Sequence, residues 1–388
     1  MLKRLIIISV GAAIATLAVF FVVVTWIERR EEAEAGKLQE LRSEEGRRVG
    51  EATATAYKID REGRRFADGP KTPENLKIAE EKFRESLEMF RELNHLRGQA
   101  EVLNDLGILY ADLKNYDKAL ECYEESLALK RESGWNWGEG NTLTNLGGLY
   151  SQRDDYAKAI DYYEQAINAY KKTNSRGEAA RVLIDLGRVY AKAGQTSKAM
   201  ETVEKSLTQS REIKDLDTQM HALGELGTLY ADQRQFSEAV PYFEECSEIA
   251  RKIRKPDLEQ WALYCLGSAH ASLNNDSTAI EYYEKSLEVV GAKKEDLGRM
   301  AVLERLAHLY ARAGKFPKAA ELYLTLLESA EKAGRKEEEE CVLYDLTMLC
   351  DIWALIDPGS NDLKRVLAIL AEKLGKDGHT RRDFDSAI

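Results

Sequence analysis

The strongest constraint on how this chain can fold is that it repeats itself. Residues 103–128 read LNDLGILYADLKNYDKALECYEESLA, and residues 143–168 read LTNLGGLYSQRDDYAKAIDYYEQAIN. The 40-residue spacing places leucine at 103, 143, 183, 223, 263, 303 and 343, and again at 106 and every equivalent position to 346. Glycine recurs at Gly107, Gly147, Gly187, Gly227 and Gly267, and alanine at 79, 119, 159, 199, 239, 279 and 319. A fixed period of this length means one supersecondary unit per repeat. Such a unit cannot bury its apolar face alone and must stack on its neighbours.

The spacing inside a unit is helical. Leu103, Leu106, Gly107 and Tyr110 fall at i, i+3, i+4 and i+7, which is one stripe of one helix. A short polar turn such as DLKNYD follows, and Ala119, Leu120, Tyr123 and Leu127 form a second stripe. Each unit is therefore expected to be a helical hairpin. Mid-helix glycine costs about 1 kcal/mol relative to alanine. Its recurrence predicts a point where paired helices approach too closely for a side chain, with Ala119 and its equivalents answering from the second helix. The aromatic row Phe83, Tyr123, Tyr163, Phe243, Tyr283 and Tyr323, broken by Val203, fills the space between hairpins.

The order Leu103, Leu106, Gly107, Tyr110, Ala119, Tyr123 resembles the tetratricopeptide repeat (TPR), in the 40-residue variety similar to kinesin light chain-type arrays. The resemblance implies an all-α fold, a right-handed superhelical solenoid of TPR hairpins over residues 73–356, with six full repeats at about 97–336 and partial ends. Residues 357–374 are expected to be a capping helix and 375–388 a polar tail. It also implies that first helices line a concave groove for a peptide or partner helix. The groove positions it indicates are Asn104, Asp105, Asn141, Asn145, Arg181, Asp185, Arg188, His221, Glu225, Trp261, Tyr264, Arg305 and His308. Asn145 matches the asparagine that holds a peptide backbone in the longer TPR family, since an amide both donates and accepts. Asp105, Asp185 and Glu225 predict an acidic stretch with Arg181 and Arg188 interleaved, and Trp261 with Tyr264 an aromatic patch. Asn104, Ile108 and Asp185 stand where a clamp for an acidic C-terminus would need lysine, asparagine and a base, which argues against that ligand.

The first residues differ from the rest. After the tail MLKR, residues 5–27 carry no charge and are long enough as a helix to cross a hydrocarbon core of about 30 Å. The run ends in TWIERREE without a small-residue cleavage site, which favours an uncleaved single transmembrane helix over a signal peptide. Arg29, Arg30, Lys37 and Arg42 after the span outnumber Lys3 and Arg4 before it, which puts the TPR body in the cytosol. Residues 28–72 are expected to be a charged helical stalk and a first, incomplete hairpin, broken by the prolines of DGPKTPENL.

A formal net charge of −11 opposes binding to a nucleic-acid backbone. The five cysteines are odd in number, lack C-x-x-C spacing and read as free thiols in a reducing compartment. No catalytic motif or metal-spaced Cys/His set occurs, so no enzyme activity and no cofactor is expected. His270 replaces a packing tyrosine and reads as structural. Two functions fit: a membrane-anchored scaffold that recruits a partner protein or peptide segment, or a sensor holding a small molecule or short signalling peptide. The scaffold requires an open groove and the sensor a closed, largely apolar pocket.

Overall fold

A computed structural model describes residues 37, 39, 42–290 and 297–376. All regular elements among these residues are α-helices. The expected span at 5–27 and the tail from 377 lie outside the described residues, and no described helix is long and apolar enough to cross a membrane. The chain divides into two compact units, residues 1–149 and 150–388.

In the first unit α1 covers residues 42–68, followed by α2 (Pro73–Glu92), α3 (Leu96–Asp112), α4 (Tyr116–Glu132) and the start of α5 (Asn136–Gln152). Within the region expected to be stalk and a first, incomplete hairpin, α1 pairs with α2 as a hairpin. Gly63 of α1 lies against Phe83 of α2, as Gly107 lies against Tyr123; a Cβ on Gly63 would sit 2.8 Å from the Phe83 ring. Ser86 Oγ donates to the Ala56 carbonyl at 2.8 Å, as Ser126 donates to Ala100 at 2.6 Å. The partners are 30 residues apart in the first pair and 26 in the second. The four extra residues lie in a longer turn and in the added first turn of α2, which begins at Pro73, so α1 falls out of the 40-residue register without changing its packing.

The second unit contains α6 (Tyr156–Lys172), α7 (Arg176–Lys192), α8 (Thr196–Ile213), α9 (Leu216–Asp232), α10 (Phe236–Lys252), α11 (Pro256–Ser272), α12 (Asp276–Val290), α13 (Leu297–Arg312), α14 (Phe316–Ala333), α15 (Lys336–Ile356) and α16 (Asn361–Lys376). Consecutive helices pair through the expected stripes: Leu223 and Leu226 of α9 and Ala239 and Phe243 of α10 are buried. The hydroxyl-to-carbonyl staple between paired helices recurs at Ser206 to Ala180 (2.6 Å), with Cys246 Sγ taking the same place against Met220 at 3.4 Å. His270 stacks on Tyr282 at 5.3 Å and 10°, as Tyr230 stacks on Tyr242 at 5.3 Å and 16°. The break in the tyrosine row thus keeps the ring contact. The capping helix α16 buries Leu363, Val366 and Leu370 and runs to Lys376, two residues past the expected end.

Turns follow one metric. Among the described residues a left-handed residue closes the turns at Asn94, Lys114, Gly134, Asp154, Asn174, Gly194, Lys214, Arg234, Arg254 and Asn274, and those at Gly314 and Gly334, with successive members 20 residues apart within each of these two runs. Several helices begin with a side-chain cap, as where Asn115, Asp155 and Asp215 accept from the backbone three residues on.

Candidate functional site

Each unit carries its own candidate surface, built on first helices. In the first unit α1, α3 and α5 place a polar network beside one another. Arg64 of α1 donates from Nε to Asp105 at 2.5 Å and pairs through Nη2 with Asp60 at 2.8 Å, with Glu101 3.9 Å away. Asp60 is 2% exposed, and its Oδ1 has no hydrogen-bond partner. Burial pushes its carboxyl up to about 7, and the charges of Asp105 and Glu101 add to the shift. Burial also raises Asp105, partly offset by Arg64.

Lys130 of α4, 2% exposed, donates to Thr142 Oγ1 at 2.6 Å. Thr142 donates to Asn104 Oδ1, and Asn145 Nδ2 donates to the same oxygen, both at 3.0 Å. Burial lowers Lys130 to about 8, against the pull of Asp105 and Glu101. Asn145 and Asn104 are thus joined as one amide pair. Asn141 lies one turn earlier on α5, half-buried.

In the second unit α7, α9 and α11 surround a cleft of about 220 Å³, lined by Arg188, Met220, His221, Gly224, Glu225, Thr228, Cys246, Leu258 and Trp261. Trp261 is 39% exposed and meets Phe243 edge-on at 5.8 Å. Its ring has room because residue 224 is glycine: a Cβ there would stand 2.9 Å from Trp261 Cζ3. Arg188 spans two helices, donating to Glu225 at 2.7 Å and to Asp185 at 3.1 Å. Burial raises the Asp185 carboxyl, which Arg188 partly offsets. His221 lies 4.0 Å from Asp217, which also pairs with Lys255 at 2.7 Å. The cleft offers an apolar floor, an indole wall and a charged rim.

Four of the expected groove residues, Arg188, His221, Glu225 and Trp261, therefore meet in one cleft, with Asp185 tied to its rim. Arg181 is exposed on α7 and acts on Asp217. The acidic residues are paired: Asp105 with Arg64, and Asp185 and Glu225 with Arg188. Trp261 and Tyr264 do not form one patch, because Trp261 meets Phe243 while Tyr264 turns to the Tyr283 ring at 5.7 Å and takes a hydrogen bond with Arg305. His308 is bonded to Asp345 at 3.2 Å. Gly107, Gly187, Gly227 and Gly267 stand against Tyr123, Val203, Phe243 and Tyr283, and Gly147 is buried on α5. Asp60, Arg64, Gly224 and Lys130 are site residues that sequence reasoning missed. Only the out-of-step Gly63 and the one glycine replacing a bulkier residue at 224 could have pointed to them.

Among the described residues no group of three His, Cys, Asp or Glu side chains is set to hold a metal ion. What these surfaces define is a protein of stacked helical hairpins with polar and aromatic groups set along its first helices. The tetratricopeptide repeat profile matches residues 74–132, 138–212 and 218–291, more than half of the chain, and a second tetratricopeptide repeat profile matches 302–337. The chain belongs to the tetratricopeptide repeat family. Curated proteins give no match. Among solved structures it is similar to the apo form of RapI, at 15% identity and TM-score 0.60 over 84% of this chain and 86% of that one. It is also similar to a signal-transduction ATPase with a tetratricopeptide repeat sensor from Pyrococcus horikoshii, at 17% identity and TM-score 0.51 over 83% of this chain and 50% of that one. TPR-like repeats of a kinesin light chain from Podosopora anserina match at 21% identity and TM-score 0.44 over 50% of this chain and 95% of that one. These likenesses concern the fold.

Proposed function

We propose that this chain is a recruitment scaffold that binds an extended segment of a partner protein on its first-helix surfaces, without catalysing a reaction. The observation that carries the reading is the Trp261 cleft. A large aromatic ring is held half in solvent beside an apolar floor, in a place opened by Gly224. Exposed, rigidly seated aromatic rings are the usual anchors of binding energy. The Asn104–Asn145 amide pair in the first unit suits a peptide backbone, which offers both donors and acceptors. In this reading Arg181 and His221 select the segment's charge, and residues 5–27 tether the body to a bilayer with the repeats on the cytosolic side.

The alternative, a sensor closed around a small molecule, draws on the likeness to a protein whose repeats are described as a sensor. The Trp261 cleft, at about 220 Å³, is below the usual small-molecule pocket range of roughly 300–1,000 Å³, which favours a protein side chain over a small molecule at that place. The test is photo-crosslinking from residue 228, at the cleft, in cells making the full chain, followed by affinity measurement with the purified captured protein. Trp261→Ala should weaken that complex about 30-fold while helicity stays constant. Equal affinity for Trp261→Ala and wild type would remove the cleft from the function. Carbonate extraction tests the tether: release of the intact chain into the soluble fraction refutes it.

A further inference from the structure

We propose that the Asp60–Glu101–Asp105 cluster of the first unit is a subsite for one basic side chain, arginine or lysine, of the bound segment. The inference deepens the scaffold reading by naming a chemical requirement of its ligand. Three carboxylates converge on one guanidinium, that of Arg64, which is 45% exposed in its side chain and free to yield. The other nearby cations are Arg61 on the same helix, Arg97, which acts on Glu101, and Lys130, which is committed to Thr142.

The independent sign is Asp60. Its carboxyl is buried, Oδ2 is on Arg64, and Oδ1 has nothing. A buried carboxylate oxygen without a partner is costly unless something completes it. A proton or a cation would do so. The groups facing Asp60 are Tyr57, Arg61 and Arg64 on its own helix and Glu101 and Asp105 on α3, while α2 presents Phe83 and Ser86 to α1. An incoming guanidinium or ammonium takes Glu101 and Asp105 at the surface, where they are 26% and 16% exposed, and frees Arg64 to turn wholly to Asp60. Asp60 then gives up its proton. Binding of the basic side chain and loss of one proton are the same event, so affinity rises with pH across the range where Asp60 ionises. The neighbouring Asn104–Asn145 pair would hold the backbone of the same segment.

The experiment uses the full chain and two defined probes, acetyl-Ala-Arg-Ala-amide and acetyl-Ala-Gln-Ala-amide, titrated by calorimetry in two buffers of different ionisation enthalpy. Above Asp60's value of about 7, the arginine probe should bind at least about 10-fold tighter than the glutamine probe, with proton release into the buffer. Well below it the difference should shrink to under about 3-fold. Asp60→Asn, isosteric and expected to fold, should abolish the proton release and the pH dependence; its helicity and urea midpoint are checked in parallel. Glu132→Gln, exposed on α4, should change neither. Equal binding of the two probes above pH 7, or no binding of either up to about 1 mM, overturns the proposal. A chain that fails here yet loses its partner with Trp261→Ala keeps the scaffold reading and loses only this subsite.

Discussion

Replacing Gly107 by alanine should destabilise the first unit, although the same change elsewhere in it should stabilise. A Cβ built on Gly107 lies 2.5 Å from Tyr123 Cδ1 and still closer to Cε1, where ordinary contacts begin near 3.4 Å. The ring must retreat by about 1 Å. It is only 3% exposed, so the retreat pushes on packed neighbours rather than into water. Overpacking of this kind costs about 1–3 kcal/mol, against which alanine recovers about 1 kcal/mol of helix propensity. The expected net loss is up to about 2 kcal/mol. Gly46 and Gly50 of α1 have nothing within 4 Å of the same position, so Gly46→Ala should gain about 0.5–1 kcal/mol. Urea midpoints, with amide exchange of α3 and α4 peptides as the local readout, separate the two. Stabilisation by Gly107→Ala comparable to Gly46→Ala would refute the close-approach argument.

Lys114→Gly and Arg234→Gly should each raise thermal stability slightly, by up to about 1 kcal/mol, because both residues are left-handed with φ of 57° and 59°, whereas Lys114→Val should lower it. His270→Tyr should keep the stack on Tyr282 and raise the melting temperature of the second unit, because its Nδ1 is buried without a partner and tyrosines of this row reach a second-helix glutamate, as Tyr310 reaches Glu284 at 2.5 Å. Stability of the first unit should fall as pH rises from about 4 to about 7. Asp60's folded value lies above its unfolded 3.8, so the folded state binds the proton more tightly and loses that advantage on ionisation. Asp60→Asn should flatten this slope, as urea midpoints at several pH values would show. Lys130 has the opposite sense: its folded value of about 8 lies below 10.5, so its burial penalty is relieved as pH rises through that interval.

The repeat periodicity carried most of the architecture because it records packing directly. Leu103, Leu106, Gly107, Tyr110, Ala119 and Tyr123 are buried, as a repeated stripe requires. The same periodicity hid α1. Four residues beyond the usual separation of Gly107 and Tyr123 lie between Gly63 and Phe83, enough to drop the helix from a 40-residue alignment though not from the fold. At the candidate site, sequence register placed Arg188, Glu225, His221 and Trp261 together on first helices. It gave no access to pairing. Whether Asp105 is a bare acid or the partner of Arg64 depends on a helix 41 residues away, and whether residue 261 is exposed depends on residue 224.

The uniform turn metric bears on how such a chain changes over generations. A loss of residues 175–214 would join Asn174 to Asp215, a left-handed turn residue to a helix-capping one, as Asn174 already precedes Ser175. A loss of half that length would fuse helices of opposite role and leave neither with its own partner face. Recombination between misaligned copies thus keeps the helix pairing in steps of 40 and breaks it in steps of 20. Hairpin number becomes a heritable quantity that can drift by whole units, and the length of partner segment the array accommodates can drift with it.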